Sequence, residues 1–157
     1  MNKLFIIILM FVGVNVTALA QNEYLLVGKT PGQVYYEIGN SYYSTAPSGK
    51  ILTTRFYYHL KGGGTLGLDF ESNSNYCQYA VVEHPIMTQT QCQRIRGNVI
   101  TNLKKKGFKY WKTDNDIILY WSPNYIARFE INYMGGTHAG YDDYGLTITY
   151  MKNVFNH

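Results

Sequence analysis

The stretch TQTQCQRIRGNVITNLKKKG, residues 88–107, separates two groups of strand-like segments and so decides the fold. Four apolar residues recur at spacings of three and four, the pattern of one helix face: Cys92, Ile95, Val99 and Leu103. Thr88 or Thr90 can cap the start of this helix, and Gly107 is placed to end it. The pattern therefore predicts a long amphipathic helix in the middle of the chain.

Segments with strand character lie on both sides of this helix. The alternation of apolar and polar residues predicts four strands before it, at 41–45, 51–60, 65–72 and 76–84, and four after it, at 108–113, 116–121, 125–134 and 144–151. A shorter helix is expected at 31–38. Because strands are grouped between helices and do not alternate with them singly, the sequence predicts an α+β fold. We expect an antiparallel sheet with two helices on one face, in the order α-ββββ-α-ββββ.

The order of elements is the same in the two halves of the chain. Residues 39–45 and 107–113, which follow the two helices, also share the pattern G-x-x-Y-aromatic-x-T. The repeated order predicts a degenerate tandem repeat, with halves at 28–84 and 88–152.

The first 20 residues have the three parts of a secretory signal peptide. Lys3 supplies a positive start, residues 4–14 form an apolar run, and Ala18-Leu19-Ala20 is a small-x-small cleavage site. The run is well short of the ~20 apolar residues that a spanning helix needs. We expect cleavage near Ala20/Gln21 and export to the periplasm or the medium. Residues 21–157 are then expected to form a single α+β domain with no transmembrane segment.

Charge and aromatic content indicate the kind of partner. The signal peptide contains one of the 14 Lys and Arg residues and none of the 10 Asp and Glu residues, so the mature chain is only mildly basic. Nucleic acid is not an expected partner, because its recognition needs a concentrated basic face. All 16 tyrosines lie in the mature chain, and tyrosine favours both strands and interfaces. A protein or an envelope component is the expected partner, and no cofactor is expected.

The stretch VGKTPGQVYYEIGN, residues 27–40, contains Gly28-Lys29-Thr30, the last residues of a phosphate-binding loop. Glu23 stands where such a loop needs its first glycine, and Pro31 lacks an amide donor. Thr30 instead suits a helix N-cap, with Gln33 completing a capping box. We interpret this stretch as the start of a helix and not as a nucleotide site.

Two segments of the first half resemble the SmpA/OmlA family. Residues 28–39 are similar to its G-x-T-x-x-Q-V-x-x-x-[LI]-G opening, and RFYYHLKGGGTLGLDFES, residues 55–72, is similar to its aromatic strand, glycine-rich turn and following strand. The family includes the small lipoprotein of the outer-membrane β-barrel assembly machinery and is structurally similar to β-lactamase inhibitor protein modules. The resemblance, over about residues 27–84, implies a short helix before an antiparallel sheet and a protein-binding role. The chain departs from the family in having no Cys at the cleavage point, and residues 88–152 have no counterpart in the short lipoprotein.

The sheet face opposite the helices is the predicted recognition surface. Tyr and Arg among other polar residues are the composition of such a surface, whereas an ordinary solvated face is the alternative. If the strand faces are assigned correctly, this face contains Arg55, Tyr57, His59, Tyr120, Arg128 and Glu130.

The segment GGTHAGYDDYG, residues 135–145, holds the one polar cluster with reactive residue types. His138, Asp142 and Asp143 suit a metal site or an acid–base pair, but they lack the usual ligand spacings and a partnered nucleophile. A glycine-rich hairpin loop is the simpler interpretation, and no metal is expected. The leading hypothesis is a secreted or periplasmic, non-enzymatic binding module of the inhibitor, immunity or envelope-assembly kind. The alternative is a small secreted hydrolase or metal-dependent enzyme that uses the 135–145 loop.

The two cysteines are expected to remain separate thiols. Cys77 begins a predicted strand, and Cys92 begins the helix that follows the far end of that strand. A seven-residue strand holds them roughly 20 Å apart, whereas a disulfide needs Cα atoms within about 7 Å.

Overall fold

The computed structural model of the chain describes residues 22–38, 42–44, 54–60, 64–71 and 75–155. The predicted signal peptide and its cleavage point lie outside these residues. The same holds for most of the glycine-rich turn after residue 60 and for part of the sequence motif shared by residues 39–45 and 107–113.

Helices and strands follow one another closely in the predicted order. A 3-10 helix, Glu23–Leu26, which the sequence did not predict, precedes the first α-helix, α1. The elements are α1 Pro31–Ile38, β1 Tyr42–Ser44, β2 Thr54–Leu60, β3 Thr65–Phe70, β4 Cys77–Met87, α2 Gln89–Lys105, β5 Lys109–Asp114, β6 Ile117–Trp121, β7 Tyr125–His138 and β8 Tyr141–Lys152. The predicted α+β class is confirmed. Within the described ranges, no helix is both long and apolar enough to cross a membrane.

All eight described strands form one antiparallel sheet. The strand order is β1-β2-β3-β4-β8-β7-β6-β5. Each half of the chain makes a four-stranded meander, and the two meanders join through their last strands, β4 and β8, where Val82 lies opposite Ile148. A tandem duplication would produce this symmetrical order, and the duplication itself stays a prediction.

Both helices begin with the same capping box. In α1 the Thr30 amide donates to Gln33 Oε1 over 2.9 Å, and the Gln33 amide donates to Thr30 Oγ1 over 3.4 Å. In α2 the Thr88 amide donates to Gln91 Oε1 over 2.9 Å, and the Gln91 amide donates to Thr88 Oγ1 over 3.3 Å. The interpretation of the 27–40 stretch as a helix start is confirmed. Thr88 caps α2, which settles the choice between Thr88 and Thr90.

One hydrophobic core lies against a single face of the sheet, called the inner face from here on. A continuous row crosses the middle strands, because Leu68 lies opposite Ala80, Ala80 opposite Tyr150, and Tyr150 opposite Ala127. The helices contribute four buried residues to the same cluster: Val34 and Ile38 from α1, and Val99 and Leu103 from α2. Both helices therefore contribute to the core on the inner face, which agrees roughly with the predicted arrangement.

The segment predicted as a glycine-rich loop at 135–145 is ordered as strand. β7 continues to His138 and β8 begins at Tyr141, so the loop prediction is wrong. The turn has only two residues, Ala139 and Gly140, with φ of 51° and 82°. Positive φ at both positions suits the tight hairpin turn whose twist matches that of the strands. A register shift between Tyr133 and Thr137 takes up the extra glycines.

Cys77 and Cys92 are both free and buried. Burial raises the pKa of the Cys77 thiol to about 12, and burial also raises the pKa of the Cys92 thiol. Since the thiolate is the reactive form, both side chains are inert at neutral pH and act as small apolar core residues.

Candidate functional site: the outer face of the sheet

The face opposite the core, called the outer face, is defined by the strand register. Residues that alternate with the inner-face residues form rows across the sheet. The middle row runs Tyr57, Gly67, Val81, Thr149, Arg128 and Leu119. The row on one side of it runs His59, Thr65, Glu83, Thr147 and Glu130, and the row on the other side contains Asp69, Tyr79, Met151, Ile126 and Trp121. Both described helices pack on the other side of the sheet.

The predicted residues of β2 lie on this face. Tyr57 is half-buried, because its ring lies across Gly67, where an added Cβ would stand 3.5 Å from Cε1 of Tyr57. His59 is exposed. Arg55 pairs with Asp69, which places its backbone in an outer-face register position. The alternation in residues 51–60 therefore assigned these three positions correctly.

Arg128 and Glu130 form an ion pair on β7. The Arg128 Nη2 atom lies 2.8 Å from Glu130 Oε2, and both side chains are half-buried. The Nε atom of Arg128 is buried and has no hydrogen-bond partner in the described part of the chain. The pair holds the guanidinium against the sheet, with one donor still to be satisfied.

These residues form two groups and not one. Four strand spacings separate β2 from β7, which places the two groups about 19 Å apart. The residues between them come from β3, β4 and β8, and sequence reasoning did not single them out: Thr65, Asp69, Tyr79, Val81, Glu83, Thr147, Thr149 and Met151. Their alternation was visible in the predicted strands, but the contact between β4 and β8 was not.

Tyr120 was predicted on the outer face, and this prediction is wrong. Tyr120 pairs with Ala127 and is buried on the inner face. Its ring lies 6.1 Å from that of Phe129, in edge-to-face geometry. All five residues of β6 are apolar or aromatic, so alternation alone does not assign their faces. Leu119 and Trp121 occupy the outer face in its place.

Two open grooves lie at opposite ends of the central β4–β8 pair. The polar groove has a volume of about 410 Å³ and is lined by residues that include His59, Thr65, Glu83, His84, Asn132 and Thr147. The aromatic groove has a volume of about 590 Å³ and is lined by residues that include Glu71, Tyr76, Tyr79, Met151, Lys152 and Val154. Both volumes fall within the range of about 300–1,000 Å³ that is typical of binding sites.

His84 lines the polar groove but is itself buried. The structure leaves only 8% of its surface exposed. Its Nε2 atom has no hydrogen-bond partner in the described part of the chain. Burial lowers the pKa of His84 below its ordinary value, because desolvation disfavours the imidazolium form.

The buried imidazole predicts a pH-dependent stability. Since the pKa of His84 is lower in the folded chain than in the unfolded chain, the unfolded state binds more protons as the pH falls below about 6.5. Stability is therefore full above that pH and decreases below it, by at most about 1.4 kcal/mol per pH unit for this one proton. His84→Leu is expected to reduce the loss of unfolding free energy between pH 7 and pH 5, measured by urea denaturation.

His59→Gln is the matched control for this measurement, because His59 lines the same groove and is exposed. Glu83 precedes His84 but projects to the outer face, and Leu146 is the residue opposite His84 on β8. The same pH dependence in wild type and in His84→Leu would contradict a buried neutral imidazole.

The second set of candidates, in the 135–145 segment, does not form one site. His138 ends β7 opposite Tyr141, while Asp142 lies opposite Thr137. Asp142 is exposed and Asp143 half-buried, and neighbouring strand residues project to opposite faces. Among the residues that the structure describes, no group of three or more His, Cys, Asp or Glu side chains could hold a metal ion.

Comparison with other proteins assigns no family to the chain. No family model, curated protein or solved structure matches it. The similarity to the SmpA/OmlA family therefore stays a prediction from residues 27–84.

Proposed function

We propose that this protein is an exported, non-enzymatic recognition module that binds a partner protein through the outer face of its sheet. The observation that carries the proposal is the contrast between the two faces. Both α-helices pack on the inner face and contribute to its core, whereas the outer face presents half-buried and exposed aromatic and charged side chains around two grooves.

The composition of the outer face favours binding of protein. Interfaces are enriched in Tyr, Trp, Met and Arg, and truncation of Tyr, Trp or Arg most often causes large losses of affinity. The outer face contains Tyr57, Tyr79, Trp121, Arg128 and Met151 in two adjacent rows.

Two side chains on this face are already ordered. The Tyr57 ring packs beside Gly67, and Glu130 forms an ion pair with the guanidinium of Arg128. Side chains that are fixed before binding lose less conformational entropy in the complex. Tyr57 and Arg128 are therefore the best candidates for residues that contribute most of the affinity.

Other features support the location and the kind of role. The signal-peptide pattern of residues 1–20 supports export, and the resemblance of residues 27–84 to the SmpA/OmlA family supports a protein-binding role. Inhibitor, immunity and envelope-assembly functions all belong to this class. The enzyme alternative receives no comparable support, because Asp142 and Asp143 are adjacent strand residues that project to opposite faces.

The proposal is tested by cross-linked affinity capture with the mature chain, residues 21–157, from envelope and culture-medium fractions. Wild type is expected to capture one protein in stoichiometric amount. Tyr57→Ala and Arg128→Ala are each expected to weaken its binding by at least about 30-fold, as loss of roughly 2 kcal/mol at an interface centre predicts.

Tyr36→Ala is the matched control, because Tyr36 is 88% exposed and lies on α1, away from the outer face. Full binding by the two outer-face variants, or loss of binding by Tyr36→Ala, would reject the outer face as the binding surface.

A further inference from the structure

We infer that the outer face recognises an extended segment of its partner that carries an arginine and an aromatic residue four positions apart. The arginine occupies the polar groove, and the aromatic residue occupies the aromatic groove. This inference rests on the proposed function and adds the chemistry of the partner.

The polar groove is rich in hydrogen-bond acceptors and has a negative charge. The Glu83 carboxylate is exposed, and none of the described residues forms an ion pair with it. The hydroxyl oxygens of Thr65 and Thr147 flank it in the same row of the sheet, because both residues lie opposite Glu83 on the neighbouring strands. A cation with several donors complements this arrangement.

Arginine fits the polar groove better than lysine does. A guanidinium is planar and presents five N–H donors, two of which match a carboxylate in parallel. The remaining donors face the hydroxyls of Thr65 and Thr147, which flank Glu83 and also line the groove.

The aromatic groove has the opposite character. Tyr76 and Tyr79 line it and are 49% and 41% exposed, and Met151 and Val154 complete an apolar surface. Large areas of exposed aromatic surface beside a flexible thioether suit a flat apolar side chain. Lys152 and Glu71 add polar groups to the lining.

The spacing of the grooves defines the spacing of the two partner residues. Tyr79 and Glu83 lie on the outer face of β4, four residues apart, which corresponds to about 13 Å along a strand. Met151 and Thr147 repeat this spacing on β8. In an extended peptide, side chains at i and i+4 lie on one face at the same separation.

Synthetic peptides test the inference directly. The probes are acetyl-Trp-Ser-Thr-Ser-Arg-amide and the same residues in reverse order, titrated into the ¹⁵N-labelled mature chain and followed by amide chemical shifts. At least one of them is expected to give saturable shifts at Thr65, Glu83 and Thr147 and also at Tyr79 and Met151.

Replacing its arginine by glutamate is expected to weaken binding at least fivefold, and Glu83→Gln in the protein is expected to weaken it about tenfold. Asp114→Asn, which removes an exposed carboxylate on the edge strand β5, is the matched control and is expected to change nothing.

Several results would overturn the inference. These are equal binding of the arginine and glutamate peptides, shifts confined to other surfaces, or no saturable shift at millimolar concentration. If the peptides fail in this way while the captured partner is still lost in Tyr57→Ala, the proposed function stands and the arginine–aromatic rule falls. If the peptides bind as expected but no partner protein is captured, the arginine–aromatic rule stands and the proposed function falls.

Discussion

Replacing Phe129 by alanine is expected to lower the free energy of unfolding by about 3–5 kcal/mol. Phe129 is fully buried on β7, opposite Ile118 on one neighbouring strand and Ile148 on the other. Its ring also contacts that of Tyr120. The substitution removes this apolar area from the core and leaves a cavity, and both effects destabilise the folded state. The loss is a large part of the ~5–15 kcal/mol that stabilises a typical domain.

Tyr133→Ala is the matched control, because Tyr133 lies on the same strand and is 57% exposed. Its loss is expected to cost less than about 1 kcal/mol, since the Tyr133 side chain is exposed and a cross-strand aromatic pair, here with Tyr144, contributes little. Urea denaturation measures both variants. Similar losses at the two positions would contradict the assignment of Phe129 to the core.

Gly64→Ala is expected to destabilise the fold by about 2–4 kcal/mol. Gly64 precedes β3 with φ of +98°, a backbone conformation that non-glycine residues rarely adopt. A Cβ at this position would lie 2.5 Å from the carbonyl oxygen of Glu83, which is backbone and cannot rotate away. Strain at Gly64 and displacement of β4 therefore add to each other.

Gly97→Ala provides the control of opposite sign. Gly97 lies inside α2, is exposed, and has no heavy atom within 4 Å of an added Cβ. Alanine there is expected to stabilise the protein by roughly 0.5–1 kcal/mol, because it has a higher helix propensity than glycine. Thermal or urea denaturation measures the change in unfolding free energy, which is expected to be a decrease for Gly64→Ala and an increase for Gly97→Ala. A stable Gly64→Ala variant would contradict the close approach of this residue to β4.

Strands with clear alternation could be predicted together with their faces. In β3 and β8 the apolar residues occupy every second position, and Leu66, Leu68, Leu146 and Ile148 are all buried as predicted. The helix within residues 88–107 could be predicted equally well, because the apolar residues on one of its faces and the capping residue Thr88 indicate the same helix. In these segments one face must be apolar and the other must not, so the pattern alone decides the burial.

Where alternation is absent, the sequence did not determine the face. β6 is apolar or aromatic throughout, and the inner position of Tyr120 follows only from its pairing with Ala127. His84 follows AVVE in β4, a strand that continues past it to Met87, so its burial was not visible from its neighbours in sequence. Tertiary pairing decided both positions.

The candidate site was predicted only in part, for a topological reason. Tyr57, His59, Arg128 and Glu130 could be assigned to the outer face from their own strands. Their separation by about 19 Å depends on the pairing of β4 with β8, two strands that are distant in sequence. The same pairing creates both grooves, so neither groove could be derived from local patterns.

Site-specific photo-cross-linking of the protein in its native cells tests the central claim most directly. A benzophenone amino acid at Tyr79, which is 41% exposed on the outer face, is compared with the same group at Tyr36, which is 88% exposed on α1. We expect a discrete adduct with one partner protein from position 79 and none from position 36. An adduct from position 36 alone, or no adduct from either position, would contradict recognition through the outer face.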